Sequence, residues 1–245
     1  MNFPVVAKEI NLAESLGAQQ SNASIAETAV PSYLSEVYDW AYLNPRNVAL
    51  LDRTLVVDVL LFGNARRLMR AATQEIMPGQ KVLMAAHVYG DFVNKLANAV
   101  GPTGQLDIID VAPIQIAHAR QKVGHLPQVT IRQADAAGPH DNDYDMVLSF
   151  FLLHEVPDGK KRSIVDALLA GVKPGGKAVF VDYGRPSRLQ PIRYILDFVN
   201  ERLEPFAKAL WKHEISEYAG EPEAYRWWKK SFFGGVYQKV VVNKR

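Results

Sequence analysis

Apolar residues are spaced in two different ways along the chain, and the change falls near residue 80. Before it, apolar side chains recur at helical spacing over residues 54–76, and Pro78 and Gly79 predict the end of that helix. After it, short apolar runs alternate with amphipathic segments. These predict strands at residues 81–86, 106–109, 129–131, 146–150 and 178–181, and helices at 91–100, 113–123 and 158–171. Such alternation predicts a parallel sheet covered by helices on both faces.

The two ends of the chain have other patterns. The first residues are small and polar, which predicts a flexible arm. Residues 189–219 have a helical pattern interrupted at Glu204–Pro205, and two final strands, 225–233 and 236–242, flank Gly234–Gly235 as an antiparallel hairpin. We therefore predict an N-terminal arm, a helical cap and one α/β domain with a helical lid: residues 1–30, 31–79, 80–245 and about 189–220.

Composition narrows the classes of protein that remain. Apolar residues make up 48% of the 245, enough for a sizeable core, and 28 basic residues nearly balance 26 acidic ones. This balance argues against a nucleic-acid partner. The absence of cysteine excludes disulfides and thiolate chemistry and fits a reducing compartment. With no long apolar run and no apolar signal core, we expect an intracellular protein, soluble or at a membrane surface.

Polar residues follow several of the predicted strands, where open α/β sheets bind their ligands. Gly90 follows the first strand, in a position where the backbone can approach a ligand. Asp110 follows the second strand and can accept hydrogen bonds from both hydroxyls of a ribose, while Asp135 follows the third and can accept one from an adenine amino group. A single acid after a strand is more often a solvated turn or a helix cap, so only the ordered set indicates a nucleotide site.

The ordered set resembles the class I methyltransferase pattern over residues 80–183. It is carried by Asp110, Pro113, Asp135-Ala136, Leu153-His154 and Lys173-Pro174-Gly175-Gly176. The resemblance implies a Rossmann-like fold with a mixed, mostly parallel seven-stranded sheet, and S-adenosyl-L-methionine (SAM) as the cofactor. The implied cofactor-binding residues are Ala86, Val88, Tyr89, Gly90, Asp110, Val111, Asp135, Ala136 and Phe150.

One part of that pattern is missing. The family has an acid followed by a glycine-rich loop that cradles the methionine end of SAM. In register, the acid falls on Met84 and the first two glycines fall on Ala86 and Val88, so that only Gly90 remains. A degenerate domain without cofactor is one explanation, and a rebuilt methionine site is the other. We favour the rebuilt site because both acids for the adenosine end are present.

Several less common strings resemble a narrower family, the RquA proteins of rhodoquinone biosynthesis. They include Trp40-Ala41-Tyr42-Leu43-Asn44-Pro45, Val88-Tyr89-Gly90-Asp91, Phe150-Phe151-Leu152-Leu153-His154-Glu155, Leu203-Glu204-Pro205-Phe206 and Phe233-Gly234-Gly235-Val236-Tyr237. Gly184 departs from the histidine expected in many relatives. The resemblance implies that ubiquinone is converted to rhodoquinone, with SAM supplying an amino group in place of a ring methoxy group. It also implies a divalent ion, expected to be Mn²⁺.

Candidate catalytic residues follow from this chemistry. His154 is the expected base, because imidazole titrates in the useful pH range, and Tyr89 and Glu155 are further catalytic candidates. The candidate substrate-binding residues are Tyr38, Tyr42, Asn64, Asp182 and Tyr183. His87, Glu155 and Asp182 are conceivable metal ligands, but no metal-binding spacing stands out, so the ligands are left unassigned.

Two alternatives stay open beside the aminating enzyme: a conventional SAM-dependent methyltransferase acting on a quinone or another small molecule, and a non-catalytic binding module. Ubiquinone as substrate predicts contact with a lipid surface. The aromatic and basic residues over 189–233 suit such contact, although a helical lid with edge strands buried in the domain is the preferred explanation, with membrane contact at the rim of the lid. We expect a cytoplasmic protein, peripherally associated with the inner membrane and with no nucleic-acid partner.

Overall fold

The computed structural model describes residue 31, residues 52–202 and residues 204–244. The predicted arm and the candidate residues Tyr38 and Tyr42 lie outside these ranges. The described helices are α1 (Thr54–Leu60), α2 (Ala65–Thr73), α3 (Phe92–Val100), α4 (Pro113–Val123), α5 (Asp158–Ala170), α6 (Ile192–Arg202) and α7 (Ala209–Lys212). The strands are β1 (Lys81–Ala85), β2 (Gln105–Asp110), β3 (Val129–Gln133), β4 (Tyr144–Phe150), β5 (Val172–Tyr183), β6 (Tyr225–Phe232) and β7 (Tyr237–Lys244).

All seven strands form one sheet in the order β3-β2-β1-β4-β5-β7-β6. Strands β1 to β5 are parallel, whereas β7 runs antiparallel to both β5 and β6. The predicted Rossmann-like methyltransferase fold and its C-terminal hairpin are confirmed. The order reverses between β1 and β4, and ligands of open α/β sheets bind beyond the strand ends at such a switch point.

The central strands are apolar because helices cover the sheet on both faces. In β1, the side chains of Val82, Leu83, Met84 and Ala85 are completely buried. Each residue of this strand pairs with both neighbours, β2 and β4, apart from Lys81, which pairs with β2 alone. Helix α4 starts at Pro113, whose fixed φ and missing N–H suit the first helical turn.

Three predicted segments differ from the structure. The single helix at 54–76 is two helices, because Phe62 and Gly63 have φ values of 50° and 74° and break the helix between them. Residues 173–177, which are predicted as a turn, lie within β5 instead. They form an irregular part of that strand, because its pairing with β4 shifts register between Tyr144 and Met146. The segment predicted as a lid contains α6, α7 and a 3-10 turn. Helix α6 ends at Arg202, so the break in the helices falls at Glu204–Pro205 as predicted.

Candidate functional site

A cavity of about 450 Å³ lies at the switch point, beyond the carboxyl ends of the parallel strands. Loops after β1, β2, β3 and β4 form its floor, and residues of α1 and α6 form the remaining walls. Most of the sequence-predicted site residues meet here: Ala86, Val88, Tyr89, Asp110, Val111, Asp135, Ala136, Phe150, His154, Glu155 and Tyr183. Gly90, Asn64 and Asp182 are not part of the cavity wall.

Asp110 ties two loops together at the floor of the cavity. Its Oδ2 accepts a hydrogen bond from the backbone N–H of His87 at 2.8 Å, and its Oδ1 accepts one from Ala112 at 2.8 Å. Burial raises the pKa of Asp110 to about 6, and the backbone hydrogen bonds oppose that rise. The backbone of Val111 hydrogen-bonds to the same carboxylate. A carboxylate has about four lone-pair sites, so Asp110 can still accept a hydrogen bond from a ligand hydroxyl.

Asp135 occupies the next strand end and is more open to solvent, with its side chain 28% exposed. Its Oδ1 accepts a hydrogen bond from the backbone N–H of Ala137, and its Oδ2 pairs with Lys160. The backbone of Ala136 and the carboxylate of Asp135 both line the cavity. The position of Asp135 is consistent with the predicted hydrogen bond that its carboxylate accepts from an adenine, although the same carboxylate also pairs with Lys160.

In the loop after β1, Ala86 takes up a backbone conformation that glycine usually adopts, although the first two glycines of the family's motif are absent. Ala86 has a φ of 70°, in the left-handed region that favours glycine, and its N–H donates to the carbonyl of Ile109. Val88 lines the cavity, whereas Met84 is completely buried within the sheet and does not reach it. The site of the family's first-motif acid is therefore filled by apolar packing.

Three neutral side chains that are joined by hydrogen bonds lie at this loop, where the family's motif has a charged acid. His87 Nδ1 lies 3.0 Å from Gln115 Oε1, and Gln115 Nε2 donates to the hydroxyl of Tyr89 at 2.9 Å. Burial lowers the pKa of His87 to about 4, so the imidazole is neutral at pH 7. With its proton on Nδ1, His87 presents Nε2 as a buried acceptor that has no hydrogen-bond partner in the described part of the chain.

Two predicted site residues hold the local backbone and do not line the cavity. Gly90, with a φ of 81°, donates its N–H to Asp52 and accepts a hydrogen bond from Lys122, so it fastens the β1 loop to the start of α1. The side-chain amide of Asn64 donates to the carbonyls of Leu61 and Phe62. These bonds stabilise the turn between α1 and α2, and substrate contact by Asn64 stays a prediction.

His154 lies at the other end of the cavity with carboxylates at both imidazole nitrogens. Nδ1 is 3.0 Å from Asp182, while Nε2 is 3.1 Å from Glu204 and 3.7 Å from Glu155. Burial lowers the pKa of His154, but the nearby carboxylates outweigh burial and raise it to about 10. His154 is thus an imidazolium at neutral pH, which favours a role as acid or fixed positive charge over the predicted role as base.

Asp182 contacts the imidazole of His154 and holds the turn after β4. Its Oδ2 accepts a hydrogen bond from the backbone N–H of Leu153, and its Oδ1 accepts one from the backbone N–H of Tyr183. The residue is 1% exposed and is not part of the cavity wall. Its contact with a substrate therefore stays a prediction.

Aromatic side chains wall the same end of the cavity. The ring of Tyr183 meets that of His154 edge-on, with centroids 4.9 Å apart, and Phe151 packs edge-on against Tyr183 and Tyr237. Phe151 has a φ of 54°, a left-handed backbone that turns the chain sharply after β4. A flat apolar ring fits such a wall, because aromatic pairs favour edge-on or offset contact.

The described residues include no group of three or more histidine, aspartate or glutamate side chains arranged to hold a metal ion. The nearest approach to one is the cluster around His154, where carboxylates occupy both imidazole nitrogens. An imidazolium has no lone pair to offer a metal. The divalent ion and its ligands therefore stay a prediction of the resemblance.

The sequence assigns no role to Gln115, Phe151 and Glu204, which all line the cavity. Gln115 lies in a segment with no motif of its own, whereas Phe151 and Glu204 appear only within strings that resemble the RquA proteins. From the sequence, His87 is a conceivable metal ligand and no more. The break in the helical pattern before Pro205 is a further signal for Glu204, because a polar residue that ends a helix beside the ligand edge of a sheet can turn inward.

Comparisons with known proteins agree with this geometry. The sequence profile of the family described as "Methyltransferase domain" matches residues 82–176. The chain is 30% identical over 176 residues, 69% of each chain, to the ubiquinone/menaquinone biosynthesis C-methyltransferase UbiE of Shewanella sediminis. A match of 28% identity over 180 residues covers 70% of this chain and 68% of the protein of the same name from Haemophilus ducreyi.

Solved structures support the fold alone. The mitomycin 7-O-methyltransferase MmcR matches with a TM-score of 0.62 and 16% identity, over 88% of this chain and 61% of that one. Human N-acetylserotonin methyltransferase in complex with SAM matches with a TM-score of 0.57 and 16% identity, over 88% and 60%. The 30% identity to UbiE over 69% of each chain, together with the sheet order, shows that the chain belongs to the class I SAM-dependent methyltransferases.

Proposed function

We propose that this protein uses SAM to modify the ring of a lipid quinone. The observation that carries the proposal is the division of one cavity into two ends. One end presents Asp110 and Asp135 at the strand ends, and the other presents aromatic rings beside the buried His154. The relatives named for ubiquinone and menaquinone biosynthesis support a quinone as the second substrate.

The residues at the adenosine end fit SAM. Asp110 lines the cavity and keeps acceptor capacity for a ribose hydroxyl beside the hydrogen bonds that it accepts from the backbone of His87, Val111 and Ala112. When bound, SAM supplies either its methyl group or the nitrogen of its α-amino group. At the amino-acid end, the unpartnered Nε2 of His87 can accept a hydrogen bond from that amino group.

Methyl transfer to the quinone ring is the first candidate reaction, and the comparisons favour it over the amino transfer expected from sequence. The relatives are C-methyltransferases by name. Methylation of a ring carbon requires an electron-rich, reduced ring and a residue that accepts the proton the carbon loses. The carboxylates around His154 supply candidate acceptors.

Amino transfer is the second candidate, and one observation favours it. A carboxylate at position 84 would stabilise the ammonium form of the cofactor, but Met84 is buried and His87 is neutral. An ordinary α-amino group has a pKa of about 8, so a site that offers only a neutral acceptor leaves a useful fraction as free amine. Free amine is the form that attacks the methoxy-bearing carbon of ubiquinone.

We further propose that the protein is cytoplasmic and works at the surface of the inner membrane. In the described part of the chain, no helix has the length and apolar character needed to cross a bilayer. Helix α6 lines the cavity through Leu196 and Val199, while Ile195 and Phe198 on the same helix are 53% and 60% exposed. An apolar outer face beside the cavity suits a substrate whose tail stays in lipid.

Product masses test the proposed function. Purified protein is incubated with SAM, with and without Mn²⁺, and with short-chain ubiquinone or its precursor lacking one ring methyl, each oxidised or reduced. Gain of a methyl group supports methyl transfer, and loss of methoxy with gain of an amino group supports amino transfer. SAM labelled with ¹⁵N at the α-amino group must label the product in the second case only. If SAM binds but no quinone is changed, the proposal is wrong.

A further inference from the structure

The carboxyl group of Glu204 stands out among the side chains that line the cavity. It follows α6, outside the parallel sheet, and reaches the imidazole of His154 with Oε2 3.1 Å from Nε2. Yet Oε2 is buried and has no donor aligned for a hydrogen bond within the described residues. A buried carboxylate oxygen without a hydrogen bond is costly, which is typical of groups kept for chemistry rather than stability.

The surroundings of Glu204 contain more negative than positive groups. Asp182 of β5 and Glu155 of the turn after β4 contact the same imidazole, and the hydroxyls of Tyr183 and Tyr237 face the cluster from β5 and β7. His154 provides the adjoining positive charge. Asp182 is occupied by two backbone N–H groups, whereas Glu204 lines the cavity directly, with its side chain 25% exposed.

A buried lysine fixes the segment that carries Glu204. The side chain of Lys161 on α5 is completely buried, and its Nζ donates to the carbonyl of Phe206 at 3.1 Å and to that of Val156 at 2.6 Å. These two bonds join the start of α5 to the loop after Glu204. The carboxyl of Glu204 is therefore held beside His154 by the fold and does not depend on a mobile surface side chain.

We propose that Glu204 is the residue that accepts the proton released by the substrate, with His154 as its positively charged partner. The inference rests on the proposed function and names a residue for it. In methyl transfer, the ring carbon bonds to the methyl group as the bond from that methyl group to the sulfur of SAM breaks. The same carbon then loses its hydrogen as a proton to the Glu204 carboxylate, and the C–H electron pair returns to the ring. In the first step of amino transfer, the nitrogen bonds to the methoxy-bearing ring carbon and gives a proton to the Glu204 carboxylate, which passes it to the methoxy group as that group leaves as methanol.

Both the base and its partner then have a clear physical role. A base works best when its pKa lies near the operating pH, and burial raises the pKa of Glu204 above its ordinary value. The imidazolium at 3.1 Å favours the ionised carboxylate, the form that can accept a proton, before the reaction.

The test compares Glu204→Gln with Glu201→Gln in the full chain, using the quinone and SAM conditions in which the wild type turns over. Glu201 lies on the same segment, is 63% exposed and pairs with Lys208, so its variant controls for changes to that surface. We expect Glu204→Gln to lower kcat by about 10²-fold to 10⁴-fold, the usual contribution of a positioned base. KM and SAM affinity should stay within about threefold, and Glu204→Asp should recover part of the rate.

The pH profile separates a proton acceptor from a structural residue. The rise of kcat with pH in the wild type should disappear in Glu204→Gln and remain in Glu201→Gln. A Glu204→Gln enzyme that keeps more than about a third of the wild-type rate, or the wild-type pH profile, would overturn the proposal. The proposal would also be overturned if Glu204→Gln lost thermal stability and SAM affinity together with its rate, because that result would indicate a structural role.

The histidine resonances give a readout that needs no substrate. In a pH titration followed by NMR, with the His154 signal assigned from His154→Gln, the pKa of His154 should fall in Glu204→Gln, because a neighbouring carboxylate is removed. An unchanged His154 pKa overturns the pairing on which the inference depends. If the pKa of His154 falls in Glu204→Gln but the wild-type protein changes no quinone, the proposed function is refuted, and with it the role of Glu204 as base, while the pairing of Glu204 with His154 stands.

Discussion

The two ends of the cavity are built in different ways. At the adenosine end, carboxylates are held by backbone N–H groups, as Asp110 is by His87 and Ala112. At the substrate end, the carboxylates of Asp182, Glu204 and Glu155 converge on one imidazole, and protons can be redistributed among them. Carboxylates held by the backbone offer fixed acceptors to a cofactor, whereas a cluster of titratable side chains can accept or donate protons during a reaction. Mutations at the two ends should therefore affect different measurements.

The largest effect should come from the substrate end. Asp182→Asn removes the carboxylate at His154 Nδ1 and offers an amide in its place, so the imidazole loses its orientation and part of its charge. We expect kcat to fall by about 10³-fold, within the range seen when a positioned acid–base group is disabled. SAM affinity, measured by calorimetry, should stay within about threefold. A comparable loss of SAM affinity would show that the two ends are not separate.

The reverse result is expected at the adenosine end. Asp110→Asn retains the shape of the side chain but weakens the acceptors offered to a ribose. Hydrogen bonds to charged groups contribute about 1.5–3 kcal/mol each, so SAM affinity should fall by about 100-fold. The kcat at saturating SAM should change by less than about fivefold. Calorimetry and turnover on the same preparation check both values, and an unchanged SAM affinity would remove Asp110 from the site.

The ionisation of Asp110 provides a test without mutation. With a pKa of about 6, raised by burial, the carboxylate is mostly ionised at pH 7 and mostly protonated at pH 5. A protonated carboxyl offers fewer acceptor sites to the ribose hydroxyls. SAM affinity should therefore fall by about tenfold from pH 7 to pH 5, following the titration of one group with this pKa. Asp110→Asn should abolish that pH dependence.

The smallest effect concerns the amino-acid end of the cofactor. His87→Phe removes the Nε2 acceptor while filling similar space. One net hydrogen bond contributes about 1 kcal/mol, so SAM should bind about fivefold more weakly. The binding of 5′-methylthioadenosine, which lacks the amino-acid end, should not change. Equal weakening of both ligands would mean that His87 supports the Asp110 loop through its backbone rather than contacting SAM.

The elements that sequence predicts well are those with a strong local signal. Pro113 and the apolar spacing after it predict the limits of α4, and the two final strands are correct to within two residues at each end. The helix predicted over 54–76 is wrong because Phe62 takes up a left-handed backbone, which a phenylalanine rarely adopts and no spacing reveals. The same turn explains the hydrogen bonds that the Asn64 side chain donates to Leu61 and Phe62, which no local pattern predicts.

By itself, the sequence determined the α/β order, the switch-point site and the acids Asp110 and Asp135, because residues directly after strands must meet at one edge of a parallel sheet. It also located the missing acid at Met84. Only the tertiary structure decided what replaces it and which groups share protons. Glu204 lies 50 residues from His154 in the sequence and reaches it only because the fold returns α6 to the sheet. Charge interactions act through space, so the protonation of His154 is a property of the assembled cavity.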